Sequence, residues 1–134
     1  NGLYVDLDGS TSNAGIFFTK QAFNFEAGKT YTLEFYLGGS KRGTDENVTV
    51  SLGSLFSKTY TITRNSGLQP FSEPIYVSSN ISGKIVFSNS GNDNVGAILD
   101  NVTLTATPVP AALWIFGSGL LGLAGISKRR KNRP

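Results

Sequence analysis

An all-β sandwich of about eight strands, of the jelly-roll class, followed by one C-terminal transmembrane helix, is the architecture that this sequence predicts. Three observations carry it. Up to about residue 107, short runs rich in Val, Ile, Thr, Tyr and Phe alternate with Gly, Ser and Asn turns. No helical periodicity appears before residue 108. Beyond that point a charge-free apolar stretch is bracketed by prolines and a basic run. The chain therefore divides into a β-domain, residues 1–107, and an appendage, residues 108–134.

Leu3 to Asp8 supplies the first strand. Ile16 to Phe25 is the second, and Glu26-Ala27-Gly28-Lys29 reads as a tight turn returning it as a hairpin onto Thr30–Leu37. In that third strand Tyr31, Leu33, Phe35 and Leu37 share one face, with Thr32, Glu34 and Tyr36 on the other. Val48, Val50 and Leu52 alternate likewise, as do Tyr60 and Ile62. Phe71, Ile75 and Val77 mark another strand, and Ile85 and Phe87 a shorter one. The last is long, with Ile98, Asp100, Val102, Leu104 and Ala106 on one face by strict alternation. About a hundred residues suffice for one modest core.

Composition narrows the chemistry. The chain has no cysteine and no histidine. Disulfides, thiolate metal sites and the commonest general base are thereby excluded, which points away from an enzyme. Five of the twelve basic residues lie in the last seven positions. Residues 1–127 are left with seven basic against nine acidic groups, a formal charge of −2. The β-domain thus lacks the basic footprint of a nucleic-acid binder. The chain opens at Asn1 with neither Met nor a basic-apolar leader and reads as a fragment, so a secretory signal, if one is encoded, would lie upstream.

Two loops are long and polar enough to carry function, against the plainer reading of ordinary turns. One is Gly38–Glu46, with three glycines and four charges, and the other is Ser90–Gly96. Asp6 and Asp8 alternate with Val5 and Leu7 and read as a solvated strand face, with a ligand site or a general acid and base pair as the competing readings. The Asn-x-Ser/Thr triplets at Asn47, Asn80 and Asn101 are expected from a Thr- and Ser-rich composition alone.

The appendage begins at Pro108-Val109-Pro110, which ends the sheet and suits a first helical turn. Ala111 to Ile126 is free of charge. Counted from Val109 it spans roughly 27 Å as a helix, close to a bilayer core. Apolar all round and weakened by glycine, it suits a membrane better than a sheet face. Trp114 would sit near one interface, and Gly119, Gly122 and Gly125 near one helix face. Lys128-Arg129-Arg130-Lys131 forms the membrane stop and is expected in the cytoplasm, with the β-domain across the membrane.

Pro108, Val109, Pro110 and Ala111, the Gly-rich apolar run after them and the basic terminus together resemble the PEP-CTERM class of bacterial sorting signals. In place of Pro-Glu-Pro the chain carries a form like the Val-Pro-x-Pro-Ala variant, with Thr107 at the leading valine. The resemblance implies recognition by an exosortase, a membrane transpeptidase, with cleavage near the prolines. It also implies export to the surface or biofilm matrix of a Gram-negative bacterium making exopolysaccharide, after a transient or permanent inner-membrane anchor.

The β-domain resembles galactose-binding-like jelly rolls through Tyr4–Ser10, Phe25–Leu33 and Gly96–Leu104. That resemblance implies a further N-terminal strand ahead of Asn1, carbohydrate binding, and a structural calcium ion held by an acidic residue of the last strand. Asp100 matches that position. Strict alternation sets it beside Ile98 and Val102, where an unpaired carboxylate would be costly, and calcium or hydrogen bonds from backbone amides would relieve it. For a glycan, Tyr36 on the polar face of its strand is the stacking candidate, with Arg42 and Asp45 in the adjacent loop. The expected function is non-enzymatic binding of extracellular polysaccharide or matrix; the alternative is a self-assembling structural or filament subunit without a glycan site.

Overall fold

A computed structural model describes residues 3–8, 15–91 and 93–107. Pro108 to Ala111, the apolar run and Lys128 to Lys131 lie outside the described residues. Among those described, no helix is long and apolar enough to cross a membrane.

Among the described residues ten strands follow in chain order: β1 (Val5–Asp6), β2 (Ile16–Phe18), β3 (Phe23–Phe25), β4 (Thr30–Gly38), β5 (Glu46–Leu52), β6 (Phe56–Ile62), β7 (Gln69–Tyr76), β8 (Ile81–Gly83), β9 (Ile85–Ser90) and β10 (Ile98–Thr107). They form two four-stranded antiparallel sheets, ordered β1-β10-β4-β7 and β2-β9-β5-β6, with β3 and β8 as a separate pair. The all-β sandwich expected from the alternation is therefore observed.

The core is what the two-residue period requires. Tyr31, Leu33, Phe35 and Leu37 of β4 are buried against Val48, Val50 and Leu52 of β5. Phe35 sits at the centre. Its ring meets Phe87 at 5.3 Å and Tyr60 at 5.5 Å edge-on, and stacks on Phe71 at 5.5 Å. Such pairs add about 0.5–1.5 kcal/mol each beyond the area they bury. One open side of the sandwich is closed by Glu73 of β7, which accepts bonds from Lys58 Nζ and Tyr60 Oη of β6, both at 2.6 Å. β7 is an edge strand, and Pro70 and Pro74 have the same parity on it. Proline is tolerated there because the missing N–H faces away from the ladder.

Three expectations require correction. Ile16–Phe25 is not the hairpin partner of β4: it breaks into β2, paired with β9, and β3, paired with β8. The tight turn itself exists, with Lys29 N–H donating to Glu26 O at 3.3 Å and Gly28 at φ +82°. That turn carries the chain between sheets, and the neighbours of β4 are β10 and β7. Ile81–Gly83 forms a short strand that alternation had not revealed; with the split of Ile16–Phe25, the strands among the described residues number ten rather than about eight.

The third correction concerns Asp100. The ladder of β10 with β4 shifts register between Asp100 and Thr103, and Asn101 takes φ +50°. This is a β-bulge, which reverses which residues face inward. Leu99 before it and Val102 and Leu104 after it pack on the core, so Asp100 does not share a face with Val102. Its Oδ1 accepts the Asn101 N–H at 2.7 Å. The burial cost that called for an ion at Asp100 is therefore absent.

Candidate functional site

β4 runs through the middle of its sheet, so its outward residues form the floor of an exposed face. Glu34 and Tyr36 point outward there, because Leu33, Phe35 and Leu37 are committed to the core. In register, Tyr36 lies between Pro70 of β7 and Asp100 of β10. A groove of about 340 Å³ opens over this point, lined by Glu34, Tyr36, Pro70, Phe71, Asn101 and Thr103 among others. The bulge shapes one wall by turning Asn101 outward. Thr103 Oγ1 donates to Glu34 Oε2 at 3.5 Å across the same wall. An aromatic ring flanked by proline, with a carboxylate, an amide and hydroxyls around it, offers an apolar face and several hydrogen-bonding groups at once.

A second concavity, of about 460 Å³, begins at Gly38, two residues further along β4. Tyr4, Lys41, Arg42, Asn65 and Leu68 line it. Its walls are the β4–β5 and β6–β7 loops, held together by backbone bonds. Gly39 N–H donates to Ser66 O at 3.1 Å, and Asn65 N–H to Ser40 O at 3.0 Å. Gly39 has to be glycine, since a Cβ there would fall 2.0 Å from Thr63 O.

The predicted glycan residues are thus not one cluster. Tyr36 lies in the first groove and Arg42 in the second. Asp45 lines neither: its Oδ1 accepts the Arg64 N–H at 2.9 Å and braces the loop. The sequon side chains at Asn47 and Asn80 are used internally, accepting Thr61 Oγ1 and Ala27 N–H, both at 2.8 Å.

Sequence reasoning missed the third feature, where the two polar loops and the N-terminal segment meet. Asp8 is only 4% exposed and Glu46 only 3%, which overturns the reading of Asp8 as part of a solvated face. Asn89, fully buried, donates from Nδ2 to Glu46 Oε2 at 3.1 Å. Its Oδ1 accepts the Ala97 N–H at 3.5 Å. Glu46 Oε1 has no hydrogen-bond partner, and the buried Asp8 carboxyl has only the Gly15 amide close enough to act on it. Burial, then the charges of Asp93 and Asp6, push the Asp8 carboxyl up, against an opposing pull from the Gly15 amide. Glu46 is also pushed up by burial; the Asn89 bond works the other way, and Asp93, Asp8 and Asp45 add to the rise. A signal existed for two of these residues. Glu46 has the parity of Val48, Val50 and Leu52, and Asn89 that of Ile85 and Phe87.

No known protein family and no curated protein matches this sequence. Solved structures do. A structure described as CBM4 superposes with a TM-score of 0.51 at 19% identity, over 78% of this chain and 81% of that one. A family 16 carbohydrate-binding module gives 0.52 at 16% identity, over 72% of each chain. A family 35 carbohydrate-binding module from an environmental isolate gives 0.50 at 18%, over 79% of this chain and 77% of the other. At these identities the likeness is one of fold, and the described residues share the all-β sandwich of carbohydrate-binding modules.

Proposed function

We propose that residues 1–107 form a non-enzymatic glycan-binding module of an exported protein, with the groove at Tyr36 as its site. The observation that carries this reading is the placement of Tyr36 on the solvent face of a central strand, beside Pro70 and among Glu34, Asn101 and Thr103. A sugar ring presents C–H groups to an aromatic face and hydroxyls at its rim, and this arrangement suits both. The fold shared with carbohydrate-binding modules supports it. Glu34 in the groove and the formal charge of −2 over residues 1–127 favour neutral sugars over polyanions.

The sorting reading belongs to the same proposal. The Pro108–Ala111 motif, the apolar run and the Lys128–Lys131 stop support handling by an exosortase-type membrane transpeptidase and delivery to the surface or extracellular matrix. A glycan array spanning neutral and acidic bacterial polysaccharides tests the binding function. Binding to at least one neutral glycan, weakened about tenfold (about 1.4 kcal/mol) by Tyr36→Ala, is the expected result. No bound glycan, or unchanged affinity in the variant, overturns it. The self-assembling alternative draws on Ile16, Phe17 and Phe18, exposed on the edge strand β2. Concentration-dependent polymerisation without polysaccharide, together with an empty array, would favour it.

A further inference from the structure

We propose that β2 pairs edge to edge with β2 of a second copy of this chain, giving a weakly held, closed two-fold dimer. The pairing does not rest on the glycan reading: the Tyr36 groove lies on the other sheet and stays open in both copies. Each four-stranded sheet has two edges, and three of these are guarded. β1 is only two residues long, and β7 carries Pro70 and Pro74. β6 turns Lys58 inward, opposite the buried Val50, to meet Glu73. Short edges, prolines and inward-pointing charges are devices that keep a sheet from pairing with another chain. β2 lacks them. Its bonds to β9 run from Gly15 to Thr19, with no charge between. Ile16, Phe17 and Phe18 are 62%, 41% and 55% exposed, and among the described residues no strand lies beyond them. The next strand, β3, cannot fold back to cover them, because it is paired with β8.

The bonding of β2 to β9 sets which backbone groups are free and the register in which a second copy fits. Asn89 N–H donates to Gly15 O at 2.9 Å and Thr19 N–H to Ile85 O at 3.1 Å, with Phe17 opposite Phe87 between them. Bonded and non-bonded pairs alternate along an antiparallel ladder, so Gly15, Phe17 and Thr19 turn their backbone groups to β9. Those of Ile16 and Phe18 face outward. A second antiparallel copy centred on Phe17 sets each Ile16 opposite a Phe18 and pairs all of these groups. Ile16 then packs on Phe18 of the second copy on one face. On the other face the two Phe17 rings meet as a close non-bonded pair, their Cα atoms about 4.5 Å apart. Lys20 and Lys84 lie beyond Phe18, away from the two-fold axis, Lys84 over the Phe18 ring at 5.3 Å. The two Lys20 stand about 20 Å apart along the strands, beyond the roughly 8 Å screening length of physiological salt. One free edge per copy makes the assembly a closed pair, since a filament needs a second free edge on each subunit. The three side chains offer about 100 Å² apiece. Two copies thus bury about 600 Å² of side chain, an area typical of transient contacts.

The test is sedimentation velocity of the full chain in mild detergent from about 1 to 500 μM, where a monomer–dimer equilibrium with Kd on the order of 10–100 μM is expected. Ile16→Lys adds a charge at an exposed edge position, and Ile16→Pro deletes an outward N–H at the first residue of the strand. Each should weaken the dimer by about tenfold or more. Because the chain has no cysteine, Phe17→Cys reads the register directly. Mild oxidation should join two copies, since residue 17 meets itself within disulfide range. Ile16→Cys should stay unjoined, its two copies being about 8 Å apart. Hydrogen exchange at the Ile16 and Phe18 amides should slow as concentration rises, while that at Phe17 should not change. A chain that stays monomeric overturns the proposal. So does a dimer indifferent to Ile16→Lys and Ile16→Pro, as association through the apolar segment would be. Larger polymers, or joining by Ile16→Cys rather than Phe17→Cys, overturn the closed two-fold pairing. Ile16 and Phe18 amides protected equally at every concentration would mean that another segment holds this edge, and would overturn it too.

Discussion

Replacing Tyr60 by phenylalanine tests how the open side of the sandwich is held. The Tyr60 hydroxyl is a donor to Glu73 Oε1 at 2.6 Å, and the Lys58 ammonium meets the same oxygen at 2.6 Å. The residues are unequal: Tyr60 is buried, whereas the Lys58 side chain is 51% exposed. A hydrogen bond to a charged group contributes about 1.5–3 kcal/mol, and an exposed ion pair about 0–1 kcal/mol. Tyr60→Phe should therefore destabilise the fold by about 2 kcal/mol at neutral pH, a fall in Tm of roughly 8–16 °C for a domain of this size. Burial alone would raise the Glu73 carboxyl, but the Lys58 and Tyr60 bonds outweigh it and hold it below the usual carboxylate value. The Tyr60 hydroxyl is pushed up by burial and by Glu73, so it stays a protonated donor throughout. Because the folded value for Glu73 is depressed, its contribution is complete above the ordinary value of 4.5 and is lost as pH falls through the folded value. Urea denaturation of both chains from pH 3 to 7 should show the gap between them shrinking on acidification. A variant as stable as the parent at pH 7, or a gap independent of pH below 5, would refute the reasoning.

Two glycines should respond unequally to alanine. At Gly28, φ is +82° and nothing stands within 4 Å of a new Cβ, so the cost is the left-handed backbone alone, about 1–2 kcal/mol. At Gly39 the new Cβ must displace Thr63 O and disturb the bonds to Ser66, so the loss should exceed that at Gly28 by thermal melting and should distort the groove beside Arg42. Processing of the C-terminal motif predicts a mature chain ending near Pro110 in its native host, read by mass spectrometry; an intact Lys128–Lys131 end would make the segment a plain anchor.

Much of the sandwich is legible in the sequence because a half-buried strand shows its inward face directly. Alternation in β4 and β5 assigned Leu33, Phe35, Val48 and Leu52 to the core and Tyr36 to the outer face, as observed. Partner choice is less legible. Ile16–Phe25 precedes a sound turn, and sequential strands commonly pair. Its four strand-forming aromatics are instead divided between two sheets, a decision made by long-range packing. The bulge in β10 defeats a strict two-residue count, yet it has a local cue: Asn101 is a residue that tolerates positive φ, preceded by an aspartate able to cap it.

The inward parity of Glu46 and Asn89 bears on why that end of the core is polar at all. Their strand positions continue the rows Val48-Val50-Leu52 and Ile85-Phe87, so apolar side chains would prolong the core without altering the ladder. Replacing buried charges by apolar residues of similar size is often neutral or stabilising. A buried network is stabilising only when each member is satisfied, and here Asn89 satisfies one oxygen of Glu46 while the other stays open. Packing alone gives no reason to keep such an arrangement. Asn89 gives one instead, since its bonds to Glu46 and to the Ala97 amide tie β5, β9 and the segment before β10 together at that end.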